Sequence, residues 1–82
     1  MKIKDSIAIS ESGFVFDSNS GDSYNLNPIG LSILKMLKSG KSENDIKTEL
    51  MAEFDVDTEY LEKSIYDFMI KLTEFNLVEH EN

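Results

Sequence analysis

Eighty-two residues, 40% of them apolar and 29% charged with a single proline, suit one folded domain (1–82). Its core has room for a layer of helices on one small sheet and not for a deep substrate pocket. The absence of cysteine excludes disulfides, thiolate metal sites and a cysteine nucleophile. No apolar run reaches the length of a signal-peptide core or the ~20 residues of a membrane span, so a soluble cytoplasmic protein is expected. Sixteen acidic residues against eight lysines, with no arginine, give a net charge of −8, split as +1 over residues 1–42 and −9 over residues 43–82; neither nucleic acid nor an anionic membrane is an expected partner.

In chain order, Ile7 and Ile9, then Phe14 and Phe16, then Tyr24 and Leu26 alternate with their neighbours at a period of two, which marks half-buried strands. Glu11-Ser12-Gly13 and the run Asp17 to Asp22 between them hold residues that favour turns. The pattern predicts a three-stranded antiparallel meander over about 5–10, 13–17 and 22–26. At Asn27-Pro28 the period changes. Asn27 suits an N-cap and Pro28 the first helical position, and Ile29, Ile33, Leu34 and Leu37 recur at helical spacing up to a stop at Gly40. This predicts a first helix over 28–39.

Ser42 with Asp45 forms a capping-box pattern, and Ile46, Leu50 and Phe54 follow at a spacing of four, predicting a helix over 43–54. The stripe Leu61, Ile65, Phe68, Leu72 and Phe75 predicts the longest helix over 58–75. Asn76 suits the left-handed position at its end, and Leu77-Val78 a short extended tail packing back on the helices. The order β-β-β-α-α-α describes an α+β domain of winged helix-turn-helix type.

Catalytic signals are absent. His80 stands alone near a polar tail, with no cysteine or second histidine to build a metal site or dyad. Asp55-x-Asp57-x-Glu59 lacks the glycine and the final glutamate of a calcium loop, with Tyr60 and Tyr66 at those places, and reads as an acidic helix start. No cofactor is expected, and the chain reads as a non-enzyme.

Two features point to binding instead. The third strand, Asp22-Ser23-Tyr24-Asn25-Leu26, ends the meander, so its outer edge can template an extended peptide or be shielded by the long helix or by water. The long helix carries Tyr66, Met69, Ile70 and Thr73 beside its core stripe, a surplus that suits a partner surface or a second packed neighbour. Met69 fits either the core or a groove wall, and Tyr66 and Ile70 either a groove or scattered surface positions. An acidic rim of Glu59, Glu62, Asp67 and Glu74 would favour basic guests.

The run Ser23-Tyr24-Asn25-Leu26-Asn27-Pro28-x-Gly30, followed by Ile33-Leu34-x-x-Leu37-x-x-Gly40, resembles the PqqD-like family. So do Ile46-x-x-x-Leu50-x-x-x-Phe54-x-Val56-Asp57 and Ile65-x-x-Phe68-Met69-x-x-Leu72-x-x-x-x-Leu77-Val78. The resemblance covers residues 7–79. It implies a RiPP recognition element, a domain that binds the leader of a ribosomally made precursor peptide as an added strand on the third strand, against the third helix. The domain then delivers the leader to a maturation enzyme, often a radical SAM protein. By position it assigns Ser23, Tyr24, Asn25 and Leu26 on the strand, and Ile65, Phe68, Met69 and Leu72 on the helix. The family often has glycine where this chain has Asn76, and features of the quinone-cofactor pathway member are missing, so the pathway stays open. A winged-helix DNA-binding regulator and a homodimerising subunit are the alternatives; a monomer or weak homodimer is expected.

Overall fold

Residues 2–79 are described in the structure, a computed structural model; His80 lies outside them. The elements run β1 (Lys2–Ile3), β2 (Ile7–Ile9), β3 (Phe14–Asp17), β4 (Ser23–Asn25), α1 (Pro28–Lys38), α2 (Glu43–Glu53), α3 (Thr58–Glu74) and β5 (Val78–Glu79). The expected meander is the antiparallel sheet β2-β3-β4, and the three helices follow it, giving an α+β fold. None of the helices described is long and apolar enough to cross a membrane.

Local chemistry sets the helix ends. Asn27 Oδ1 accepts from the Gly30 N–H at 2.8 Å and Pro28 opens α1 without needing a partner for the donor it lacks. Ser42 and Asp45 form the reciprocal capping box of α2. Both α1 and α3 close with paired bonds that satisfy otherwise orphaned carbonyls: Gly40 to Leu37 and Lys41 to Met36 in one, Asn76 to Thr73 and Leu77 to Leu72 in the other. Asn76 takes the left-handed position at φ 59°, as its amide side chain allows. That turn drives Leu77 and Val78 inward, where both are buried.

Two features depart from the sequence reading. The tail after α3 pairs with the N-terminus rather than packing only on helices: β5 lies antiparallel to β1, with Ile3 opposite Val78 and Lys2 opposite Glu79. Two residues are too few to display a period, so β1 left no pattern to find. The second correction concerns β3. Its register puts Ile9 opposite Val15 and Ile7 opposite Asp17, so Val15 faces the core with the two isoleucines while Phe14 and Phe16 face outward, 42% and 40% exposed. In Phe14-Val15-Phe16 every residue is apolar, and the phase is decided by pairing with β2, not by polarity.

The core gathers Ile7 and Val15 from the sheet, Ile33, Leu34 and Leu37 from α1, Ile46 and Leu50 from α2, and Leu61, Ile65 and Leu72 from α3. Asp17 shares the inner face of the sheet and is only 6% exposed. Its carboxylate accepts from the Asn19 N–H at 3.0 Å, which outweighs the effect of burial and holds the group below its ordinary 3.8. A carboxyl whose folded value is depressed adds stability above its unfolded value and loses it as pH falls through the folded one. Asp17→Asn should therefore lower the urea midpoint at pH 6, and the gap from the wild type should narrow on acidification to pH 2.5. A gap independent of pH in paired denaturation curves would show that the charge of Asp17 contributes nothing.

Candidate functional site: the β4 edge and the β4–α3 cleft

The phase of the β3–β4 ladder is fixed by two flanking bonds, from the Asp17 N–H to Asp22 O at 2.9 Å and from the Leu26 N–H to Gly13 O at 2.8 Å. Bonded and non-bonded pairs alternate in an antiparallel ladder. With Phe14 opposite Asn25, Val15 opposite Tyr24 and Phe16 opposite Ser23, the backbone of Tyr24 faces β3, and Ser23 and Asn25 turn their N–H and C=O groups away from it. No described strand pairs with that outer side, since β5 is taken by β1. Gly13 permits the close pairing: at φ 91° it sits where a Cβ would lie 2.7 Å from Leu26 O.

Beside this edge a cleft of about 330 Å³ opens between β4 and α3. Val15, Leu34, Leu72 and Leu77 belong to the core and form its floor. Tyr24, Phe68 and Phe75 supply aromatic surface, and Asn25, Asn27 and Lys71 polar groups. Tyr24 and Phe75 stack with ring centroids 4.9 Å apart and planes 15° apart, tying strand to helix. Burial, reinforced by the charges of Asp22 and Asp17, pushes the Tyr24 phenol above its usual 10.0. It therefore stays neutral and able to donate at physiological pH. Gly30 brings α1 close to α3 at the cleft margin, where a Cβ would meet the Phe68 ring at 3.1 Å and Asn27 Oδ1 at 3.2 Å.

The residues singled out from sequence divide. Tyr24, Asn25 and Leu26 line the cleft, and Ser23 contributes its outward backbone. Phe68 and Leu72 line it from α3. Ile65 is buried and, with the 65%-exposed Tyr66, borders a separate depression against the start of α2. Met69 is half-buried and borders another with Leu37 and Lys41. Ile70 and Thr73 are exposed and line neither the cleft nor those depressions. At about 100° per residue, Tyr66, Met69 and Thr73 fall on one flank of the core stripe, and Phe68, Lys71 and Phe75 on the other. The second flank faces β4.

Lys71 and Phe75 were therefore missed as cleft residues. Their signal was available, since Phe68, Lys71 and Phe75 follow one another at spacings of three and four along one side of α3. Which flank meets the strand depends on the side from which the helix crosses, and helical periodicity is silent on that. The acidic rim is dispersed as well: Glu62 pairs with Lys47 on the α2 side, and Asp67 borders a depression beyond Gly30.

Comparison with known proteins bears on this geometry. A family model described as "Coenzyme PQQ synthesis protein D (PqqD)" matches residues 13–78. No curated protein matches. Among solved structures, TbiB1 in complex with the TbiA(beta) leader peptide is similar with a TM-score of 0.84 and 27% identity, over 100% of this chain and 99% of that one. Lasso peptide synthetase B1 complexed with the leader peptide is similar with a TM-score of 0.74 and 25% identity, over 89% of each chain. The family match takes in β3, β4, all three helices and the full lining of the cleft, and the chain belongs to the PqqD family.

Proposed function

We propose that this protein is a non-catalytic peptide carrier. It binds the leader of a ribosomally synthesised precursor as an additional strand on β4 and presents it to a maturation enzyme. One observation carries the reading: the outward N–H and C=O groups of Ser23 and Asn25 border an apolar cleft with aromatic walls. Backbone pairing recognises any extended chain, and the cleft adds selectivity by receiving every second side chain. Both solved relatives described above are complexes with leader peptides, which supports the same use of this fold.

The cleft offers little for catalysis. Its polar lining consists of two amides, the Lys71 ammonium and a phenol held neutral, and the Asn27 amide is committed to capping α1. The enzyme served is a radical SAM protein if the family resemblance guides the choice, or part of a lasso-peptide synthetase if the structural likeness does. Isolating the chain together with the enzyme encoded beside it distinguishes the two.

Titrating labelled protein with leader peptides from adjacent precursor genes should shift the amides of residues 22–26 and of Phe68, Lys71 and Phe75; shifts spread evenly over the domain would count against the cleft. Asn25→Pro removes an outward donor without touching the β3 ladder and should weaken binding about five- to tenfold, with an unchanged fold by circular dichroism. Phe75→Ala should cost about tenfold in Kd, whereas Tyr66→Ala on the other flank leaves Kd unaltered. Equal losses from both would place the peptide elsewhere on α3. The net charge of −8 should also make association with a basic leader slow as salt is raised from 20 to 300 mM; a salt-independent rate would remove the electrostatic contribution.

A further inference from the structure

Most lysines of the chain are engaged. Lys2 lies near Asp5, Lys35 pairs with Glu11, Lys41 with Glu49 and Lys47 with Glu62, while Lys38 donates to the Ile7 carbonyl. Lys71 makes no ion pair or hydrogen bond with another described side chain, although Asp67 stands one turn before it on α3. It is exposed, so it retains its reach.

Its position is specific. Lys71 lines the β4–α3 cleft and also a second depression of about 180 Å³, which adjoins the first across Phe68 and Gly30 and includes Tyr60, Ser64 and Asp67. Phe68 and Phe75, one turn to either side of it, line the same cleft, so a pair formed there with a seated peptide would be partly shielded from water. In a chain of net charge −8, an acidic group is repelled over most of the surface. Lys4 and Lys63 are likewise without an ion pair among the described residues, and of these three lysines only Lys71 lines the cleft, where it is the one cationic group.

We propose that Lys71 is a specificity-determining residue that pairs with an aspartate or glutamate of the bound peptide. The inference rests on the strand-addition reading above and adds a sequence requirement to it. Side chains on one face of an added strand recur every second residue, roughly 7 Å apart. A peptide with one apolar residue seated among Tyr24, Phe68 and Phe75 therefore brings a residue two positions away within reach of the flexible lysine. That residue is acidic, in a leader otherwise favoured when basic.

The test is a selection of random 12-residue displayed peptides on the immobilised protein, run in parallel on the wild type and on Lys71→Glu. The wild-type pool should converge on an apolar residue with Asp or Glu two positions from it, and the Lys71→Glu pool should place Lys or Arg there instead. A synthetic peptide from the wild-type pool should bind Lys71→Ala about fivefold more weakly; changing its acid to the amide should cost the wild type the same factor and Lys71→Ala nothing further. Matching thermal melts establish that the variants are folded. Pools that share the apolar residue but show no acid, or no reversal with Lys71→Glu, overturn the role of Lys71 and leave the cleft reading intact. Failure of the wild-type pool to enrich any peptide overturns both.

Discussion

Two backbone hydrogen bonds, Asp17 to Asp22 and Leu26 to Gly13, hold β4 in phase with β3, and the rest of the site depends on that phase. They oblige Tyr24 to spend its backbone groups on the sheet and direct its ring toward Phe75. They equally oblige Ser23 and Asn25 to present theirs at the edge. A slip of one residue would exchange these roles: the ring of Tyr24 would leave the helix and its amide would face solvent. Gly13 at one end and the Asp17–Asp22 turn at the other guard against that slip, the first by admitting the Leu26 carbonyl where a side chain would collide, the second through a carboxylate fastened to the Asn19 amide.

The helices convert this edge into a cleft. The Asn27 cap starts α1 directly after β4, so strand and helix meet at a fixed corner. The left-handed Asn76 turns the chain at the end of α3 and sends Leu77 and Val78 into the core, Val78 opposite Ile3. With Leu72 and Leu77 beneath it and Phe75 stacked on Tyr24, the last turn of α3 is held at both ends of its approach to β4. The cleft is thus framed by buried apolar side chains whose packing resists deformation.

Much of this was legible in the sequence where a residue's meaning is local. Asn27-Pro28, Ser42 with Asp45, Gly40 and Asn76 each marked a helix end by their own backbone chemistry, and the three helices lie within a residue or so of the expected spans. The open strand edge also followed, because no later segment alternated convincingly enough to cover it. What escaped was everything set by the approach of distant segments. The β1–β5 ribbon consists of residues too few to show a period. The outward turn of Phe14 and Phe16 was decided by β2. The choice of Phe68, Lys71 and Phe75 over Tyr66, Met69 and Thr73 was decided by how α3 crosses the sheet. A helix apolar on two flanks announces a surplus and keeps silent about its direction.

β4 is only three residues long, and two of them turn outward. A visiting chain therefore finds at most four backbone bonds, each with a net value of about 1 kcal/mol. So short a zipper releases its guest readily, and dwell time is governed by the few side chains that enter the cleft. Under the carrier role proposed above, brevity of the strand would be an asset: each passenger would stay long enough to be recognised and leave in time for the next.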